Sequence, residues 1–126
     1  MRIILSNRSG EALYEQIKTQ IRDAIFSGEL AEDDVLPSVR QLARDLKISV
    51  ITTTRAYADL EAEGLVVSVQ GKGCYVLPRD KELARENARS KVEAGLAAAI
   101  DAAKQGGITR EEIFEALTLL LKEEKL

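Results

Sequence analysis

Leu36-Pro37-Ser38-Val39-Arg40-Gln41-Leu42-Ala43-Arg44-Asp45-Leu46-Lys47-Ile48-Ser49-Val50-Ile51-Thr52-Thr53-Thr54-Arg55-Ala56-Tyr57 is the stretch that decides the fold. Pro37 interrupts the chain and Ser38 is a good helix cap. With Gln41 at the third helical position, Ser38-Val39-Arg40-Gln41 fits the capping-box pattern. Val39, Leu42, Ala43 and Leu46 then recur at helical spacing and form one buried side. Lys47-Ile48 leave room only for a tight connection. Ser49 caps a further helix running to about Glu63, with Thr53, Ala56, Tyr57 and Leu60 inward and Gly64 as its stop. Two short helices joined by so short a turn make a helix-turn-helix. The second of them presents Val50, Ile51, Thr54 and Arg55 on faces that its inward stripe does not use, with Thr52 at the border.

Upstream, Leu13, Ile17, Ile21, Ala24 and Ile25 mark an amphipathic helix between Gly10 and Ser27, closed by Gly28. An acidic loop (Glu29, Glu32, Asp33, Asp34) leads from it to Pro37. Downstream of Gly64 the period becomes extended. Leu65–Val69 and Cys74–Leu77 are rich in β-branched and aromatic residues, and Gln70-Gly71-Lys72-Gly73 between them is a glycine-rich hairpin tip. A hairpin that directly follows such a helix is a wing, and Pro78 stops it.

From Arg79 onward the chain turns rich in Ala, Glu and Lys. Leu83, Ala88, Val92, Leu96, Ala99 and Ala103 line a long helix of about 26 residues, roughly 39 Å at 1.5 Å per residue. Gly106-Gly107 break it. Thr109-Arg110-Glu111-Glu112 opens a last helix with Ile113, Phe114, Leu117, Leu120 and Leu121 read as its inward side. The expected architecture is α+β: a winged helix-turn-helix over residues 1–78, then a small all-α helical hairpin over 79–126.

Composition excludes much chemistry. The chain has 126 residues, no His and one Cys. Zinc sites of the usual kinds, an intrachain disulfide and Ser-His-Asp or Cys-His catalysis are thereby set aside. The Gly71-Lys72-Gly73 run lacks the length and following helix of a nucleotide loop. No enzyme activity and no cofactor are expected. No apolar run approaches the ~18 residues of a membrane span, and the N-terminus does not read as a signal peptide, so the expected location is the cytoplasm. Net charge is −3, yet Arg40, Arg44, Lys47 and Arg55 against Asp45 give +3 between Ser38 and Tyr57. Phosphates respond to that local field more than to distant charge.

Leu36 to Ala43, with Leu46, Ile48-Ser49, Thr52, Arg55-Ala56-Tyr57, Leu60-Glu61, Glu63-Gly64-Leu65 and Gly71-Lys72-Gly73, resembles the DNA-binding domain of the GntR family of bacterial regulators. The likeness spans most of residues 10–78. The short two-helix tail is similar in length and helix count to the YtrA-like subfamily, whose tail is a small dimerisation unit. The resemblance implies a homodimeric transcription regulator, a repressor in the first instance, on double-stranded DNA with a pseudo-palindromic operator. It places the third helix in the major groove and the wing at the minor groove or backbone. Arg40 and Thr52 match family positions that contact DNA, and Tyr14 matches the family's start of the first helix. Many relatives carry Arg where Val50 stands, and YtrA-like members often have Asn or Pro around Ser49-Val50-Ile51. Cys74 replaces a frequent Thr. The operator is therefore not transferable from a relative.

The DNA-facing set is Tyr14, Ser38, Arg40, Ser49, Val50, Ile51, Thr52, Thr54 and Arg55, together with the tip Gly71, Lys72 and Gly73. Glycines beside Lys72 let the backbone approach a phosphate. Val50 and Ile51 suit thymine methyl groups, or else local packing against the wing. Tyr14 suits either a phosphate or packing, and Cys74 suits a half-buried strand. Val92, Leu96, Ile100, Ile113, Phe114, Leu117 and Leu121 form the expected dimer surface. A tail this thin is not expected to hold a deep effector cavity, and any effector is left unidentified. The competing reading is a winged-helix module for protein–protein assembly without specific DNA binding, for which a net negative charge is natural.

Overall fold

The computed structural model describes residues 1–124 and contains five helices and three short strands among them. Two compact units divide the chain, Met1–Ala84 and Arg85–Leu126.

In the first unit, α1 (Leu13–Ser27) ends at Gly28, whose φ of 87° is the left-handed conformation a helix terminus needs and glycine adopts without steric cost. α2 (Val39–Leu46) and α3 (Val50–Ala62) follow β1 (Val35–Leu36). Ser38 and Ser49 cap them, accepting from the amides of Gln41 and Thr52 at 3.0 and 3.1 Å. Only half of the expected capping box forms at Ser38. The Gln41 side chain turns along the helix instead, donating to Asp45 and accepting from Arg44. The connection between the helices is tight because Lys47 takes the left-handed conformation, φ 57°.

β2 (Val66–Val69) and β3 (Gly73–Val76) form the antiparallel hairpin, with Val66 opposite Val76 and Val69 opposite Gly73. β1 adds to the other edge of β3, giving the order β1-β3-β2. Ile17, Ile21 and Ile25 of α1, Leu60 of α3, and Val66 and Val76 of the sheet are almost wholly buried together. At the N-terminus, Ile3 and Leu5 lie against this core. Gln20 both donates to and accepts from the Ile4 backbone, and Gln16 does the same for Ser6. Two side-chain amides thus stand where a neighbouring strand would otherwise pair.

α4 (Lys81–Gly106) and α5 (Arg110–Glu123) make up the rest. The capping box at Thr109 is complete, with Glu112 returning its carboxylate to the Thr109 amide. Ala103 is buried and Ile113 half-buried, but Phe114, Leu117, Leu120 and Leu121 are exposed in the single chain. The expectation of a stripe turned inward on α5 is corrected on this point. A two-helix hairpin has too little width to enclose side chains of that size. It leaves instead an open apolar groove of about 440 Å³, lined by Leu96, Ala99, Ala103, Ile113, Leu117 and Leu120.

Candidate nucleic-acid interface

α3 is amphipathic, and its inner face accounts for its orientation. Thr53, Ala56, Tyr57 and Leu60 are all buried, at the positions a 3.6-residue period requires. Tyr57 donates from its hydroxyl to the Pro37 carbonyl at 2.7 Å, tying α3 to the segment that starts α2. Burial, and then the nearby Cys74 thiol, push the Tyr57 phenol well above its ordinary range, so it stays protonated as that donor.

With this face fixed, the opposite one is exposed. Ile51 is 82% exposed and Val50 43%, and Thr54 and Arg55 also face outward. Exposed β-branched side chains gain nothing from water, so their place at the leading turn of α3 is unexplained by folding alone. Ser38 and Ser49 engage their hydroxyls in capping, which limits what either has left for another partner. Thr52 is half-buried, and its Oγ1 lies 2.8 Å from Ser49 Oγ. Between these two hydroxyls one O–H hydrogen remains to donate elsewhere. Arg40 is exposed in the first turn of α2.

The wing tip is shaped for close approach. Gly71 and Gly73 have φ of 79° and 109°, which side chains with a Cβ rarely tolerate. Lys72 stands exposed between them, its amide bonded to the Val69 carbonyl and its carbonyl accepting from the Tyr75 hydroxyl. Cys74 lies behind the tip, buried rather than half-buried. Burial pushes its thiol up, and a Ser68 hydrogen bond only partly opposes this, so it is a poor source of thiolate.

Tyr14 is half-buried at the start of α1, and its ring carries the Arg55 guanidinium at 3.7 Å from the centroid. The sequence points both residues toward DNA but does not by itself bring them together. The signal of their pairing is present as two matching series at intervals of four, Tyr14-Lys18-Arg22 and Arg55-Asp59-Glu63.

Three helices with the last two in helix-turn-helix order, followed by a β-hairpin wing, define a winged helix-turn-helix DNA-binding protein. Residues 13–76 match the family model described as bacterial regulatory proteins, gntR family, and the chain belongs to that family. It is a DNA-binding transcription regulator. The HTH-type transcriptional repressor YtrA of Bacillus subtilis (strain 168) is 31% identical over 90% of this chain and 87% of its own length. A GntR family transcriptional regulator from Listeria monocytogenes superposes with a TM-score of 0.66 at 28% identity, over 93% of this chain and 98% of its own. The DNA-binding domain of AraR, solved in complex with operator ORX1, matches 60% of this chain and 95% of its own at 28% identity, TM-score 0.53. No helix among the described residues is long and apolar enough to cross a membrane.

Proposed function

We propose that the protein is a cytoplasmic repressor that binds a pseudo-palindromic operator as a homodimer. In this reading residues 1–78 bind DNA and 79–126 dimerise. The observation that carries it is the pairing of two uncovered surfaces: the outward face of α3, and the exposed apolar stripes of α4 and α5. A similar repressor, YtrA of Bacillus subtilis, aligns along nearly the whole chain. Two copies of the hairpin make a two-fold four-helix arrangement in which each copy covers the other's groove. Two-fold symmetry then repeats the recognition helix on half-sites about one helical turn apart, or a multiple of that.

Arg40, Val50, Ile51, Thr52 and Thr54 supply sequence reading. A duplex selected from a random pool, challenged with competitor DNA at two salt concentrations, tests this. Arg40→Ala is expected to cost about 1–3 kcal/mol of specific binding. Val50→Ala or Thr54→Ala alters base preference more than affinity. Unchanged affinity in both Arg40→Ala and a Val50-Ile51-Thr52 triple alanine variant refutes the assignment of α3 as the recognition helix.

Lys72 supplies a phosphate contact from the wing. Its replacement by Ala is expected to weaken binding almost equally on every sequence. The slope of log K against log salt should shrink by about one unit per protomer. An unaltered slope reduces Lys72 to a turn residue.

A further inference from the structure

Along the seam between α1 and α3, three pairings recur at a spacing of four on both helices, one turn apart. Tyr14 lies under Arg55. Lys18 lies 3.6 Å from Asp59 and 3.9 Å from Glu63, and Arg22 lies 2.7 Å from Glu63. In the second and third pairings α1 supplies the cation and α3 the anion, and Glu15 of α1 also lies 3.2 Å from Lys18, so no net positive charge is left in that part of the seam. The first pairing is reversed: α3 supplies the cation, and α1 supplies a ring with no charge.

That reversal has a chemical consequence. A carboxylate at position 14 would also hold Arg55, but it would neutralise it. An aromatic face attracts the guanidinium through its quadrupole and leaves the full positive charge in place. A stacked guanidinium also keeps the N–H groups around its rim free to donate. Arg55 is the one cation in the α3 sequence, and it stands one turn beyond Ile51. The stack draws its head toward α1, away from the outermost edge that Ile51 occupies. A group held at the flank of a groove-bound helix is placed for the sugar-phosphate backbone, whereas the outer edge is placed for bases.

We propose that Arg55 clamps a backbone phosphate and that Tyr14 is its positioning residue, ordering the guanidinium before DNA arrives without cancelling its charge. This rests on α3 being the helix laid in the major groove. The ordering reduces the side-chain freedom lost on binding.

The full-length protein and its Tyr14→Phe, Tyr14→Ala, Arg55→Ala and Tyr14→Ala/Arg55→Ala variants are titrated with a duplex selected by the wild type and with a random-sequence duplex, across a salt series. Thermal melting confirms that each variant is folded. Arg55→Ala is expected to weaken both duplexes by a similar factor, about tenfold, and to lower the salt slope by about one unit per protomer. Tyr14→Ala should weaken binding about two- to fivefold, and Tyr14→Phe, which keeps the ring, should bind as the wild type does. In the Arg55→Ala background the loss of Tyr14 should add nothing. An equal effect of Tyr14→Ala in both backgrounds overturns the positioning role. Loss confined to the selected duplex in Arg55→Ala overturns the phosphate clamp in favour of base reading. If Arg55→Ala leaves affinity unchanged while the Val50-Ile51-Thr52 triple alanine variant weakens it, this inference falls and the groove placement of α3 stands. If Arg40→Ala, the triple variant and Arg55→Ala all leave affinity unchanged, the groove placement falls and this inference with it.

Discussion

Leu60→Ala is expected to lower the stability of the N-terminal unit by about 2–5 kcal/mol, the range for removing a large aliphatic side chain from a core that cannot fully collapse. Leu60 is wholly buried among the three isoleucines of α1 and the valines of the sheet. It is the last residue of the inward stripe of α3, at the end of the helix away from the exposed Ile51. A domain of this size commonly has only about 5–15 kcal/mol to lose. The variant should therefore unfold at a much lower urea concentration with a similar m-value. Below its new midpoint it should still bind DNA, because none of the outward residues has changed. A loss under about 1 kcal/mol would show that α3 is held from elsewhere, with the Tyr57 hydrogen bond to Pro37 the first place to look.

Sequence was a good guide wherever one periodicity faced one core. α1, α2 and α3 and their caps follow from stripes of apolar residues bounded by Ser38, Ser49, Gly28 and Gly64, and the wing follows from β-branched runs around Gly71 and Gly73. β1 reads as loop in the sequence because its two residues, Val35 and Leu36, carry no period. They become a strand only through pairing with Tyr75 and Cys74, some forty residues away in sequence. Gln41 completes the pattern of a capping box, but a local motif does not decide between two nearby partners, and Asp45 and Arg44 take its side chain. The stripe that reads as inward on α5 is uncovered in the single chain for a different reason. Periodicity identifies an apolar face and says nothing about whether the covering surface lies in the same chain. The outward position of Arg55 is legible in the sequence, while its rest on Tyr14 depends on how α1 crosses α3.

Phe114→Glu is expected to turn the proposed dimer into monomers. In the single chain Phe114 is 61% exposed and Leu120 63%, and Leu117 and Leu121 are exposed beside them. On α4, Val92 at 60%, Leu96 and Ile100 are exposed as well. Full burial of each such side chain is worth about 1.5–3 kcal/mol, so a second copy that covers even several of them has ample drive to associate. A carboxylate placed at position 114 must lose its hydration in that interface without a partner, which costs several kcal/mol more. Sedimentation at micromolar concentration should find the wild type dimeric, Phe114→Leu dimeric and Phe114→Glu monomeric. Phe114 belongs to the second compact unit, so the Met1–Ala84 unit should keep its fold and its melting transition. Binding to an isolated half-site should then survive, while the advantage of an operator with two half-sites, an effective-concentration effect of about 10²–10⁴, should vanish. A wild type that is monomeric at micromolar concentration, or a Phe114→Glu variant that stays dimeric, would refute this account of α4 and α5. The apolar groove between the two helices would then need a different occupant.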